Sequence, residues 1–130
     1  MAARILVVDD DEDIREFIIS VLSEAGYQSV AAPHGAEALK VLKAGGIDIL
    51  ITDIYMPVMD GIQLTREARR LLPDLPILAL SGGTGINEQE VGILEMVRRF
   101  GANHCLEKPF AVEELLDLLT KALNELKKTS

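Results

Sequence analysis

The strongest constraint on this chain is an alternation. Five short runs of aliphatic residues alternate with stretches of helical length, and four of the five runs stop at a polar residue able to do chemistry. Residues 4–8 form a β-branched run that breaks at Asp9. The next stretch carries Ile14, Phe17, Ile18, Val21 and Leu22 on one predicted helical face and closes at Gly26. A second strand is expected over 27–32 and a helix over 36–43, halted by Gly45-Gly46. Residues 47–52 form a third, almost wholly apolar strand with Asp48 at its entrance and Asp53 at its end. Met56-Pro57 and Asp60-Gly61 punctuate the loop that follows. A helix over 62–72 ends before Pro73, and a fourth strand over 76–80 is broken by Ser81-Gly82-Gly83. A helix is expected over 86–100, closed by Gly101, and a brief fifth strand over 104–107 is stopped by Lys108-Pro109. The last helix, 111–126, has Leu115, Leu116, Leu119, Leu123 and Leu126 as its stripe, and the final four residues are expected to fray.

Short apolar strands separated by helices argue for a parallel sheet covered on both faces. With 130 residues, 48% of them hydrophobic, the chain suffices for one core and is expected to form a single domain over 1–130. In such sheets function gathers at the carboxyl ends of the strands. Asp9, Asp10, Asp53, Ser81 and Lys108 all fall at that one edge, a coincidence that unrelated surface residues would rarely produce. The formal net charge of −8 argues against nonspecific nucleic-acid binding. No apolar run approaches a bilayer's width, and the opening MAARILVVDDDED does not read as a signal peptide, so a cytoplasmic protein is expected. Cys105 is the sole cysteine and has no partner for an internal disulfide.

Carboxylates gathered at one edge repel, and a hard cation with oxygen ligands offsets that repulsion. Mg²⁺, with Mn²⁺ as a substitute, suits a site of carboxylates, one carbonyl and waters. Lys108 brings a positive charge from the far side and is expected to pair with Asp53. Ser81 offers a hydroxyl to a transferred group. Asp53 is the best nucleophile because it ends the most apolar strand. Cation, ammonium and hydroxyl together give the electrostatic positioning that phosphoryl transfer requires.

Four motifs then carry a resemblance: ILVVDDDED at 5–13, ITDIYMPVMDG at 51–61, LALSGG at 78–83 and EKPF at 107–110. In order, spacing and placement they resemble the receiver domain of bacterial two-component response regulators, across essentially the whole chain. The resemblance implies a flavodoxin-like (βα)5 fold, a three-layer α/β sandwich whose parallel five-stranded sheet runs 2-1-3-4-5. It implies metal binding by Asp10 directly, by Asp9 mostly through water, by Asp53 and by the Tyr55 main-chain carbonyl. It implies phosphorylation of Asp53, a hydroxyl role for Ser81, a lysine role for Lys108 and a cis bond before Pro109. The implied partners are a sensor histidine kinase or histidine phosphotransfer protein and a downstream protein target. A phosphorylation-dependent homodimer is expected on the face built from helix 86–100, the fifth strand and the last helix. The only catalysis implied is the domain's own phosphorylation and dephosphorylation.

The sequence departs from that pattern in places. Cys105 stands where the family usually has an aromatic or histidine switch residue, and reads as a compact buried filler. His104 beside it reads as a surface residue, as do Arg98 and Arg99, and His34 is given no role. Gly82 and Gly83 follow Ser81 where a small alanine is more usual, and residues 84–89 are either a partner-binding loop or an insertion. Tyr55 and Gly83 flank the path of attacking water in opposite senses. The alternatives weighed are a receiver cut from a longer kinase or transcription regulator, a phosphate-independent scaffold, and a small Mg²⁺-dependent phosphohydrolase. The last lacks an evident acid–base residue two positions after Asp53. No Walker loop or imidazole–thiol zinc cluster is present.

Overall fold

The computed structural model describes residues 2–54, 61–81, 95, 98, 99 and 101–129, without the side chains of 126–129. The elements in chain order are β1 (Arg4–Val8), α1 (Glu12–Glu24), β2 (Gln28–Ala32), α2 (Gly35–Ala44), β3 (Ile49–Asp53), α3 (Gly61–Leu71), β4 (Ile77–Ser81), β5 (His104–Glu107) and α4 (Val112–Thr129). The five strands form one sheet in the order β2-β1-β3-β4-β5, with every neighbouring pair parallel. The chain therefore has the flavodoxin-like order 2-1-3-4-5 with flanking helices. β3 and β4 are buried along their whole length, which is why their sequences are apolar on both faces rather than alternating. The edge strands β2 and β5 are only partly buried.

Successive strand residues point to opposite faces and so feed two cores. Leu6, Val8, Leu50 and Ala79 pack on one face against Ala38 and Leu42 of α2 and Leu64 and Ala68 of α3. Val7, Ile51, Leu80 and Leu106 pack on the other against Ile18 and Leu22 of α1 and Leu115 and Leu119 of α4. Each buried Val, Leu or Ile side chain among these contributes about 1.5–3 kcal/mol.

The carboxyl edge is shaped by local devices. Asp11 caps α1, its carboxylate accepting from the N–H groups of Asp13 and Ile14. Gly61 opens α3 directly against β3: a Cβ there would run into the Asp53 carbonyl oxygen and lie 2.6 Å from Ile54 Cα. Only glycine allows this approach. The Gly61 N–H also donates to the Ile54 carbonyl at 2.7 Å.

Several expectations need correction. Phe17 does not join the core; it is 47% exposed, because the buried stripe of α1 runs through Ile18, Val21 and Leu22 and leaves it on the flank. Its ring instead lies 6.3 Å from that of Phe110. His34 has a role: its Nδ1 accepts from the Glu37 N–H at 3.3 Å and caps α2. The His104 side chain is only 14% exposed and lies 3.3 Å from Glu125. α4 continues to Thr129, past the expected helix end at residue 126. Arg98 and Arg99 are helical and exposed, as the sequence suggests. Among the described residues, no helix is long and apolar enough to cross a membrane.

Candidate functional site

β1, β3, β4 and β5 end side by side, each at or beside a polar residue, and the side chains of Asp9, Asp53 and Lys108 meet there. Asp9 follows β1 and is fully buried; Asp53 ends β3 and Ser81 ends β4, exposed by 6% and 5%. Ser81 sits one residue beyond Leu80, the register partner of Asp53. Lys108 follows β5, and its N–H donates to the Ser81 carbonyl at 2.9 Å. The Lys108-Pro109 bond is cis, in agreement with the resemblance.

Lys108 reaches across the sheet end to both buried carboxylates. Its Nζ lies 2.8 Å from Asp9 Oδ2 and 3.3 Å from Asp53 Oδ2. The closer partner is Asp9, whereas the sequence reading paired the lysine with Asp53. Burial works to lower the Lys108 pKa. The hydrogen bond to Asp9 and the charge of Asp53 outweigh it, so the ammonium is held above its ordinary value.

Asp9, exposed Asp10 and Asp53 each bring a carboxylate oxygen into one cluster, these oxygens lying within 4.8 Å of one another. Three carboxylates against one ammonium leave the cluster two formal negative charges. An all-oxygen donor set with that deficit fits a hard divalent cation. The cluster is thus able to hold a divalent metal ion such as Mg²⁺.

Asp9 is fixed from several sides. The Asp11 N–H donates to its Oδ1 at 2.9 Å, and Arg15 Nη1 donates to its main-chain oxygen at 2.7 Å. The sequence reading missed both contacts, along with the close approach of Gly61. Only the Asp-Gly pair at 60–61 hinted at the last. Cys105 packs against the core shared with α2 and α3, opposite Ala79, but is partly rather than fully buried. Tyr55, Gly82, Gly83 and the loop 84–89 lie outside the described residues. A groove of about 470 Å³ lined by Arg69, Asp74, Arg98, Asn103 and Glu125 lies at the amino ends of β4 and β5, away from this chemistry.

A doubly wound domain with buried acids and a lysine at its carboxyl edge defines a class of signalling module. Residues 5–120 match the response regulator receiver domain, and the chain belongs to that family, whose members act in phosphorelay signalling. It is 39% identical over 127 residues to response regulator MprA of Mycobacterium ulcerans, covering 98% of this chain and 53% of that protein. The chain spans about half the length of the curated relatives it matches. Among solved structures, chemotaxis protein CheY4 of Vibrio cholerae shares 32% identity with a TM-score of 0.83, covering 94% of this chain and 99% of that one. A CheY-like receiver domain protein of Methanospirillum hungatei shares 25% identity with a TM-score of 0.91 over the full length of both chains.

Proposed function

We propose that this domain takes a phosphoryl group onto Asp53 from the phosphohistidine of a sensor histidine kinase or a histidine phosphotransfer protein. An Asp53 carboxylate oxygen attacks phosphorus, the P–N bond breaks, and the imidazole leaves with the bonding electron pair. Water later cleaves the aspartyl phosphate, releasing inorganic phosphate and restoring the carboxylate. The observation that carries this reading is the Lys108 ammonium held between buried Asp9 and Asp53.

Asp53 is suited to the nucleophile's role because the core on both sides of β3 and the close approach of Gly61 fix its backbone. Lys108 is placed to leave Asp53 and meet a phosphoryl oxygen while Asp9 retains its other hydrogen bond. Ser81, at the end of the adjacent strand, offers its hydroxyl to a second phosphoryl oxygen. Asp9, Asp10 and Asp53, with the Tyr55 carbonyl, would hold Mg²⁺ or Mn²⁺. When bound, the cation neutralises the charge that gathers on the phosphoryl oxygens. Phosphorylation adds charge and acceptor oxygens beside Ser81 and so shifts a population between two states read out by a protein partner, or by a second copy of the domain.

The test is intact mass after incubation with a small acyl phosphodonor, with and without Mg²⁺. One labile phosphoryl adduct is expected on the wild type with metal, and none on Asp53→Ala. An adduct that survives in Asp53→Ala would refute the assignment of the nucleophile. Failure of the folded wild type with both the phosphodonor and candidate kinases would favour the scaffold reading.

A further inference from the structure

We propose that Arg15 is a positioning residue for the metal-binding pair, holding the peptide that joins Asp9 to Asp10 so that both carboxylates face Asp53. This rests on the phosphoacceptor reading above.

Asp9 has a partner at each of its polar atoms. Its Oδ1 is held by the Asp11 N–H, its Oδ2 by Lys108, and its N–H reaches the Ala32 carbonyl at 3.4 Å. The remaining polar atom is the carbonyl oxygen. The β1–β2 ladder ends at Val8 and Ala32, so no strand partner follows for that oxygen. Arg15 fills the place from the first turns of α1, its Nη1 donating at 2.7 Å. The same helix is anchored by Asp11, whose carbonyl accepts from the Arg15 N–H at 3.0 Å. One rigid helix start therefore fixes both ends of the turn. That carbonyl belongs to the peptide plane from which Asp10 departs. Asp10 is exposed, so the backbone at this plane, rather than packing, sets the direction in which its side chain leaves the chain.

Charge alone does not explain an arginine here. A fixed positive charge near a cation site lowers cation affinity by repulsion. An orienting hydrogen bond raises it, because the ligands are already aimed. The two roles predict opposite signs when the guanidinium is removed.

The measurement is Mg²⁺ affinity by calorimetry on the wild type, Arg15→Met and Arg15→Lys. Alongside it runs the Mg²⁺ dependence of the phosphorylation rate with a small phosphodonor. Positioning predicts that Arg15→Met binds Mg²⁺ about tenfold more weakly, in the range found for groups that orient metal ligands. The rate at saturating Mg²⁺ is expected to stay near the wild-type value, so the loss lies in binding rather than in chemistry. Arg15→Lys keeps one donor and the charge and is expected to fall between the two. Should Arg15→Met fail to fold, the weaker affinity of Arg15→Lys decides. Unchanged or tighter binding in a folded variant, beside a wild type that binds Mg²⁺, overturns the inference alone. A wild type that binds no Mg²⁺ overturns the reading of the site and this inference with it.

Discussion

At the amino edge of the sheet, Arg69 gives its guanidinium to neutral oxygens: the carbonyls of Leu72, Pro73 and Gly101 and the side chain of Asn103. Asn103 in turn accepts from the Ile77 N–H at 2.8 Å. At the carboxyl edge, Lys108 faces two buried carboxylates, with a third in the same cluster. Both cations are partly buried, yet their titration moves oppositely. Burial pushes Arg69 below its ordinary value, with Asp74 opposing, because the oxygens around it carry dipoles rather than charge. At Lys108 the same burial is overcome by Asp9 and Asp53. One edge is closed by satisfied hydrogen bonds. The other keeps excess negative charge at close range, which suits a place where a cation and a phosphoryl group come and go.

The largest stability effect is expected where the carboxyl edge meets α3. Gly61→Ala drives a methyl group into the backbone of Asp53 and Ile54 and should destabilise by about 3 kcal/mol, measured by urea unfolding. It should also impair phosphorylation, since the strain falls on the nucleophile's own peptide. Arg69→Met comes next. It leaves carbonyls at the amino edge without their donor and should cost about 2 kcal/mol. Phosphoryl acceptance is expected to survive; its loss would break the separation between the two edges. The smallest effect concerns pH. The folded pKa of Lys108 is raised, so its stabilisation is fully present below the unfolded value of about 10.4 and is lost as pH rises through the folded value. In that alkaline window the wild type should lose stability faster than Lys108→Met, in thermal melts at stepped pH.

The strands and the site edge were legible because burial on both faces imposes continuous apolar runs, and those runs break on polar residues. Asp9, Asp53, Ser81 and Lys108 are such breaks. What stayed hidden was side chain meeting backbone across elements. No periodicity marks that Arg15 reaches the Asp9 carbonyl, that Arg69 spans from α3 to Gly101, or that His34 caps α2. Phe17 was misplaced because a helical stripe has flanks, and a flank residue is buried or exposed according to what packs beside it. That Lys108 reaches from the end of β5 past β4 and β3 to come closer to Asp9 than to Asp53 follows from side-chain placement across the sheet edge, and no local pattern records that.

The central claim is that the carboxyl edge is a cluster of like charges built for a divalent cation. Thermal unfolding of wild type and Asp53→Asn, each without metal and with saturating Mg²⁺, tests it most directly. Without metal, Asp53→Asn is expected to be at least as stable as the wild type, because one of three mutually repelling carboxylates is gone. With Mg²⁺ at a hundred times its dissociation constant, the wild type should gain about 2.7 kcal/mol and the variant distinctly less. Equal Mg²⁺ shifts in the two proteins, or an Asp53→Asn variant clearly less stable than the metal-free wild type, would contradict the account.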